Sequence, residues 1–217
     1  MITLPTFHRL GRLAFALSAL VASASCASDV TRTGRSPAYL VIDSIVAASG
    51  ASPDKFGSQL NSDVVTFVDQ TINGVKFRVP TIFNDLGRAS VHIALKSPLS
   101  PEGLVTTPSS VNQITITRYH VTFRRADGRS TQGVDVPWAF DGGVTATVGG
   151  SAVDIGFEIV RHQAKNEPPL ANLDFGGGSI IISTLADITF YGHDQAGNEV
   201  TVTGSISVNF GDFGDPT

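Results

Sequence analysis

The segment from Ala186 to Phe210 constrains the fold more than any other part of the chain. Its second half alternates, with Val200, Val202, Ile206, Val208 and Phe210 on one parity and Glu199, Thr201, Thr203, Ser205, Ser207 and Asn209 on the other. Successive side chains of a strand point to opposite faces, so this pattern predicts a strand with one buried and one hydrated face. Ala186, Ile188 and Phe190 repeat the apolar stripe in the first half. Between the halves lies Asp194-Gln195-Ala196-Gly197-Asn198, rich in residues that tolerate turn geometry. A long hairpin with one apolar face must bury that face against a second apolar layer.

The rest of the chain supplies further strands. Tyr39 to Ala48 is apolar on both parities, which predicts a strand buried on both sides or one that changes sheets. Val64 to Ile72 and Val75 to Val79 flank Asn73-Gly74, a strong hairpin signal. A two-residue turn there sets Ile72 opposite Val75, Gln70 opposite Phe77, Asp69 opposite Arg78 and Val68 opposite Val79. Ala89 to Leu95 alternates with Val91, Ile93 and Leu95 inward. Ile114 to Arg125 changes parity near Thr117 and Arg118, predicting a bulge or a switch between sheets. Val144 to Val148 and Val153 to Ile159 are two more strands. Ser52-Pro53-Asp54 has the residues of a single helical turn, and Gln163 to Leu173, with Pro168-Pro169, reads as a linker within the domain. The expectation is an all-β, antiparallel β-sandwich in one domain over residues 38–217. The alternative is two small sandwiches meeting in the proline-rich loop Ser97 to Asn112, but the first segment has only about four strands, few for an independent sandwich.

Phe190-x-x-x-Asp194-x-Ala196-Gly197-Asn198 resembles the F–G hairpin of bacterial fibronectin type III and other immunoglobulin-like domains. Tyr119-x-Val121-x-Phe123-Arg124 is similar to their C strand. The two stretches cover about a fifth of the chain, and the resemblance implies an immunoglobulin-like sandwich.

The N-terminus reads as an address. His8, Arg9 and Arg12 precede an apolar run from Leu13 to Ala22, followed by Ser23, Ala24, Ser25 and Cys26. This is the pattern of a secretory signal peptide over residues 1–25, too short for an ordinary membrane span. Ser23-Ala24-Ser25-Cys26 resembles the lipobox of bacterial lipoproteins, in which the cysteine is acylated and becomes the mature N-terminus. The alternative is an ordinary cut after Ala24. Residues 26–37 are small and polar and read as a flexible tether. The expected location is therefore the bacterial cell envelope, lipid-anchored at Cys26, or the periplasm or exterior if the cut is ordinary.

Composition narrows the function classes. Without residues 1–25 the chain loses Arg9 and Arg12 and no acid, leaving 13 basic against 19 acidic residues and a charge of −6. A mildly acidic chain argues against a nucleic-acid partner. Cys26 is the sole cysteine, so neither an intramolecular disulfide nor a paired-cysteine zinc site is expected. No Gly-x-Ser-x-Gly and no His-Glu-x-x-His occurs, and Gly176-Gly177-Gly178 lacks the lysine of a phosphate loop. His92, His120, His162 and His193 read as solvated surface residues. The expectation is a non-catalytic domain without cofactor or metal.

The candidate ligand-binding residues are Trp138, Phe140, Asp135 and Asp141 in the stretch Gly133 to Gly143. Aromatic faces stack on sugar rings or enter partner pockets, and carboxylates accept hydroxyl hydrogen bonds. The bland reading is that both aromatics plug one end of the sandwich. This stretch is expected to meet the loop Ser97 to Asn112, with Trp138 at the junction. Asp127, Asp141, Asp194, Asp212 and Asp215 are weighed as a calcium set and match no calcium-loop spacing. Arg118, Arg124, Arg125 and Arg129 form a basic cluster. The function expected is a binding or adhesion module with a protein or carbohydrate partner. The alternative is an assembly component that pairs through a strand edge, and a third reading is a secreted hydrolase or carbohydrate-binding domain.

Overall fold

The computed structural model describes residues 34–174 and 179–214. The signal-peptide reading, Cys26 and most of the tether lie outside these residues, as do Gly176 to Gly178 and Asp215. The described chain is mostly β with antiparallel sheets. Its strands are β1 (Ala38–Ala48), β2 (Gln59–Asp63), β3 (Thr66–Ile72), β4 (Val75–Thr81), β5 (Asp85–Leu95), β6 (Ile114–Arg125), β7 (Phe140–Val148), β8 (Val153–Val160), β9 (Ile182–Asp194) and β10 (Glu199–Gly211). A short helix, α1 (His162–Lys165), and a 3-10 turn, Leu170–Leu173, lie between β8 and β9. Among the described residues no helix is long and apolar enough to cross a membrane.

Three sheets form, in the orders β1-β5-β8, β2-β10-β9-β6-β7 and β3-β4. All pairings are antiparallel except β2 with β10. The C-terminal hairpin pairs Phe190 with Val202 and Ala186 with Ile206, so the two apolar stripes share one face as the alternation requires. That face meets the inner face of the three-stranded sheet, and both contribute to one core that includes Ile93, Ile155, Phe157, Ile188, Phe190 and Phe210. Gly204 interrupts the β10 stripe because β1 passes over it: a Cβ there would lie 2.6 Å from Ile45 Cδ1.

Both parity faults are bulges. In β1 the register against β5 shifts between Ile42 and Ser44, so Leu40 and Ile42 point inward before the fault and Ile45 and Ala47 after it. The run that is apolar on both parities thus stays in one sheet. In β6 the register shifts between Ile116 and Arg118 against both neighbours, leaving Thr117 as the extra residue.

The β3–β4 register agrees with the sequence pattern pair for pair. Asn73 (φ 53°) and Gly74 (φ 81°) supply the two left-handed residues that a two-residue hairpin turn demands. The hairpin stands apart from both larger sheets, and Ile72, Val75 and Phe77 stay exposed.

Two expectations about irregular chain are corrected. Ser52 to Asp54 form a turn, closed by Lys55 N–H donating to Ser52 O at 3.0 Å, rather than a helix. Gln163 to Leu173 is a buried plug rather than a linker: Ala164, Lys165, Leu170 and Leu173 are all buried. Lys165 Nζ lies 2.9 Å from Asp85 Oδ1, both side chains being almost wholly inaccessible. Asp85 also accepts from Ser62 Oγ at 2.6 Å and Gly50 N at 2.9 Å, so the buried charge is fully hydrogen-bonded.

Candidate functional site

The stretch around Trp138 does not meet the loop Ser97 to Asn112. Phe140 pairs with Val121 and Val148 with Ile114, so the chain before Phe140 lies at the Arg125 end of β6. The loop Ser97 to Asn112 enters β6 at Ile114, the opposite end. The expectation fails because Gly142 and Gly143 belong to β7, paired with Tyr119 and Arg118, and are not part of a loop. The return along the sheet is made by β7 itself, after Trp138 and not before it.

The four candidate residues separate. Trp138 is 53% exposed, and its ring covers Gly133. Phe140 is buried, edge-on to Tyr119 at 6.3 Å and capped by the Arg161 guanidinium at 4.2 Å. Its ring packs into the core and offers no open face. Asp135 accepts from Thr131 N at 3.3 Å and lies 3.5 Å from Arg129 Nη1. Asp141 sits on the outer face of β7, 3.1 Å from Arg118 Nη1 and 3.2 Å from His120 Nδ1.

The histidines are less free than expected. His92 Nδ1 lies 2.9 Å from Asp43 Oδ2, because the bulge in β1 turns Asp43 toward β5. His120 shares Asp141 with Arg118, and His162 Nδ1 lies 2.9 Å from Asn84 Oδ1. Among the described residues no group of three or more His, Cys, Asp or Glu side chains converges on one point. Asp194, weighed for calcium, instead closes the β9–β10 turn by accepting from Ala196 N, Asn198 N and Asn198 Nδ2, each at 2.9 Å. The basic cluster is neutralised in pairs, with Arg124 on Asp187 at 3.0 Å and Arg129 on Asp127 at 2.8 Å. The Arg129 hydrogen bond holds the Asp127 carboxyl below its ordinary range.

A different site emerges on the outer face of the five-stranded sheet. The bulge at Thr117 brings Arg118 over the ring of Tyr191 on β9, with its Cζ 3.7 Å from the ring centroid. Stacking of a guanidinium on an aromatic face holds its donor fork in a fixed plane, and the bond to Asp141 fixes its azimuth. Gly192 next to Tyr191 allows this, since a Cβ there would strike the backbone at Thr115 O. Beside the stack is a groove of about 500 Å³, lined also by Thr117, His193, Glu199 and Thr201. The groove thus presents fixed donors, a carboxylate and two hydroxyls around an aromatic wall. Such a set suits a neutral, hydroxyl-rich ligand better than a purely apolar or a highly charged one. The alternation shows that Tyr191, His193, Glu199 and Thr201 share one face, but nothing in sequence brings Arg118 to them. Only the bulge and the β6–β9 register do.

Compared with known proteins, the chain matches no family model, no curated protein and no solved structure.

Proposed function

We propose that this chain is an exported, lipid-anchored, non-catalytic β-sandwich of immunoglobulin-like topology that binds a saccharide of the bacterial envelope on the outer face of its five-stranded sheet. The observation that carries the reading is the groove beside the Arg118–Tyr191 stack. Its donors, acceptor and hydroxyls match vicinal sugar hydroxyls, and its volume falls in the range of small-ligand sites. The two sheets around one core, with β2 parallel to β10, support the sandwich. Glu199 and Thr201 of the groove also lie beside Ser36 and Ala38, where β1 begins. Ser36 is buried and Pro37 O accepts from Lys96 N at 2.9 Å, so the expected tether is shortened at its domain end. The stretch before Gly34 would span at most about 30 Å, which keeps the groove within reach of a polymer close to the anchoring membrane.

The binding test uses a glycan array followed by titration of the selected sugar against the purified chain. Arg118→Gln and Glu199→Gln should each weaken binding roughly tenfold, the size expected for losing a hydrogen bond to a charged group. An array without hits, or affinity unchanged in both variants, overturns the saccharide site. The anchor is tested separately: the wild type should fractionate with membranes and incorporate labelled palmitate, and Cys26→Ser should do neither. A soluble wild type with Ser25 as its free N-terminus, as after a cut at Ala24, would refute lipidation.

A further inference from the structure

The strand registers set the Arg118–Tyr191 stack in a row that crosses four strands. Thr201 of β10 faces Tyr191 of β9, Tyr191 faces Arg118 of β6, and Arg118 faces Gly143 of β7. Their neighbours Val200, Phe190 and Tyr119 are buried, so the row lies on the outer face of the sheet. The groove already described takes up the β9–β10 half of the row. Gly143 lies at the other end, beyond the stack. On one side the next row is Thr203, Thr189, His120 and Asp141, with the two threonine hydroxyls 2.9 Å apart. On the other side it is Glu199, His193, Thr115 and Thr147. A carboxylate and an imidazole thus flank the central row twice: Glu199 and His193 beside the groove, Asp141 and His120 beside Gly143.

Gly143 has no reason inside the protein. The next outward positions of β7 are Thr145 and Thr147, β-branched residues that suit a strand. Glycine within a strand forfeits stability, and close approach of a ligand is a recognised reason for it. Gly142 is required by the core, since a Cβ there would strike the Tyr119 ring. A Cβ on Gly143 would meet nothing within 4 Å, and its backbone is outside the left-handed region that favours glycine. Arg118 stands opposite but leans onto Tyr191, which leaves the space above Gly143 open. Of the five N–H donors of that guanidinium, one is given to Asp141.

We propose that the bare backbone at Gly143 is a second sugar subsite, so that the outer face binds a linear oligosaccharide lying across the strands. The inference rests on the saccharide reading of the groove and extends it. One sugar lies in the groove against Tyr191, the chain passes the Arg118 guanidinium, and a further sugar comes down on Gly143 beside Asp141. Each half offers one carboxylate and one imidazole to ring hydroxyls. From Thr201 to Gly143 is three strand spacings, about 14 Å, a span that calls for a short oligomer and not a single ring. A sugar lying flat on the strand leaves no room for a side chain beneath it, which accounts for the glycine.

The experiment uses an array of bacterial envelope saccharides, each present as a series from one to four sugar residues, and titrates the selected series against the purified chain. The longest member should bind the wild type roughly tenfold tighter than the single sugar. Gly143→Val, whose Cβ has room, should erase that advantage. In the wild type the Gly143 amide resonance should shift with the longest member and stay in place with the single sugar, a readout that needs no variant. Three results would each overturn the second subsite: affinity independent of length, an advantage that survives in Gly143→Val, or an unmoved Gly143 amide. The saccharide reading itself survives any of them if Arg118→Gln still weakens binding. No binding at any length would overturn both.

Discussion

The rings of Tyr119 and Phe157 lie 5.4 Å apart across the core, and each covers a glycine directly opposite it on the next strand of its own sheet. Tyr119 faces Gly142 on β7, and Phe157 faces Gly87 on β5. Phe190 closes the cluster edge-on to Phe157 at 5.5 Å. Two aromatic–glycine pairs, one from each sheet, thus meet where the sheets touch. Each ring lies flat on backbone that a side chain would hold away.

Removing one ring should therefore cost much of the stability. Phe157→Ala is expected to lower the unfolding free energy in urea by about 3–5 kcal/mol. Gly87→Ala should cost about 1–3 kcal/mol, by overpacking against the ring. The double variant should cost clearly less than the sum, since the small residue no longer collides once the ring is gone. Strict additivity would show that the ring does not pack on Gly87.

The buried pair Lys165–Asp85 binds α1 to the start of β5. Lys165→Met leaves Asp85 buried with Ser62 and Gly50 as its donors among the described residues, and should cost about 3–5 kcal/mol. Replacing both partners, as Lys165→Met with Asp85→Leu, should recover part of that loss. Equal damage from single and double variants in chemical denaturation would contradict this account.

Two carboxylates should pull stability in opposite directions with pH. Burial alone would raise the Asp194 carboxyl, but hydrogen bonds from Asn198, Ser36 and Ala196 outweigh it and hold the group below its ordinary value. Its contribution is present above the unfolded value of 3.8 and is lost as pH falls through the lower folded value. Asp63 is the reverse, raised chiefly by burial against opposing hydrogen bonds from Thr66 and Phe213. Its contribution is full below 3.8 and is lost as pH rises through the folded value. Between about pH 3 and about pH 7, the stability gap to wild type should widen for Asp194→Ala and narrow or reverse for Asp63→Asn. Denaturation midpoints across that range would decide it, and parallel curves for the two variants would be the contrary result.

Trp138 is the sole tryptophan, so intrinsic fluorescence reports one site. Its exposure predicts the red emission of a hydrated indole and ready quenching by acrylamide. Trp138→Ala should change stability by about 0.5 kcal/mol or less. A blue-shifted, unquenched band would place the ring inside.

Local pattern alone determined much of this protein. Alternation in β10 assigns its buried face, and Asn73-Gly74 fixes the β3–β4 register, because side-chain period and turn geometry are properties of a few adjacent residues. The parity change at Thr117 marks the bulge for the same reason. Tertiary structure decided the rest. Phe140 and Trp138 are two residues apart in sequence, yet one is core and the other surface, because Phe140 opens β7 opposite Val121 while Trp138 precedes the strand. Gly142-Gly143 reads as loop by composition, and becomes strand only because the Tyr119 ring fills the place of a missing side chain. Arg118 reaches Tyr191 from a strand more than seventy residues away, through the β6–β9 register. Lys165 is in place only when β5, β2 and α1 converge on Asp85. Contacts between distant segments follow from which sheets pair and how they stack, and no short stretch of sequence contains that information.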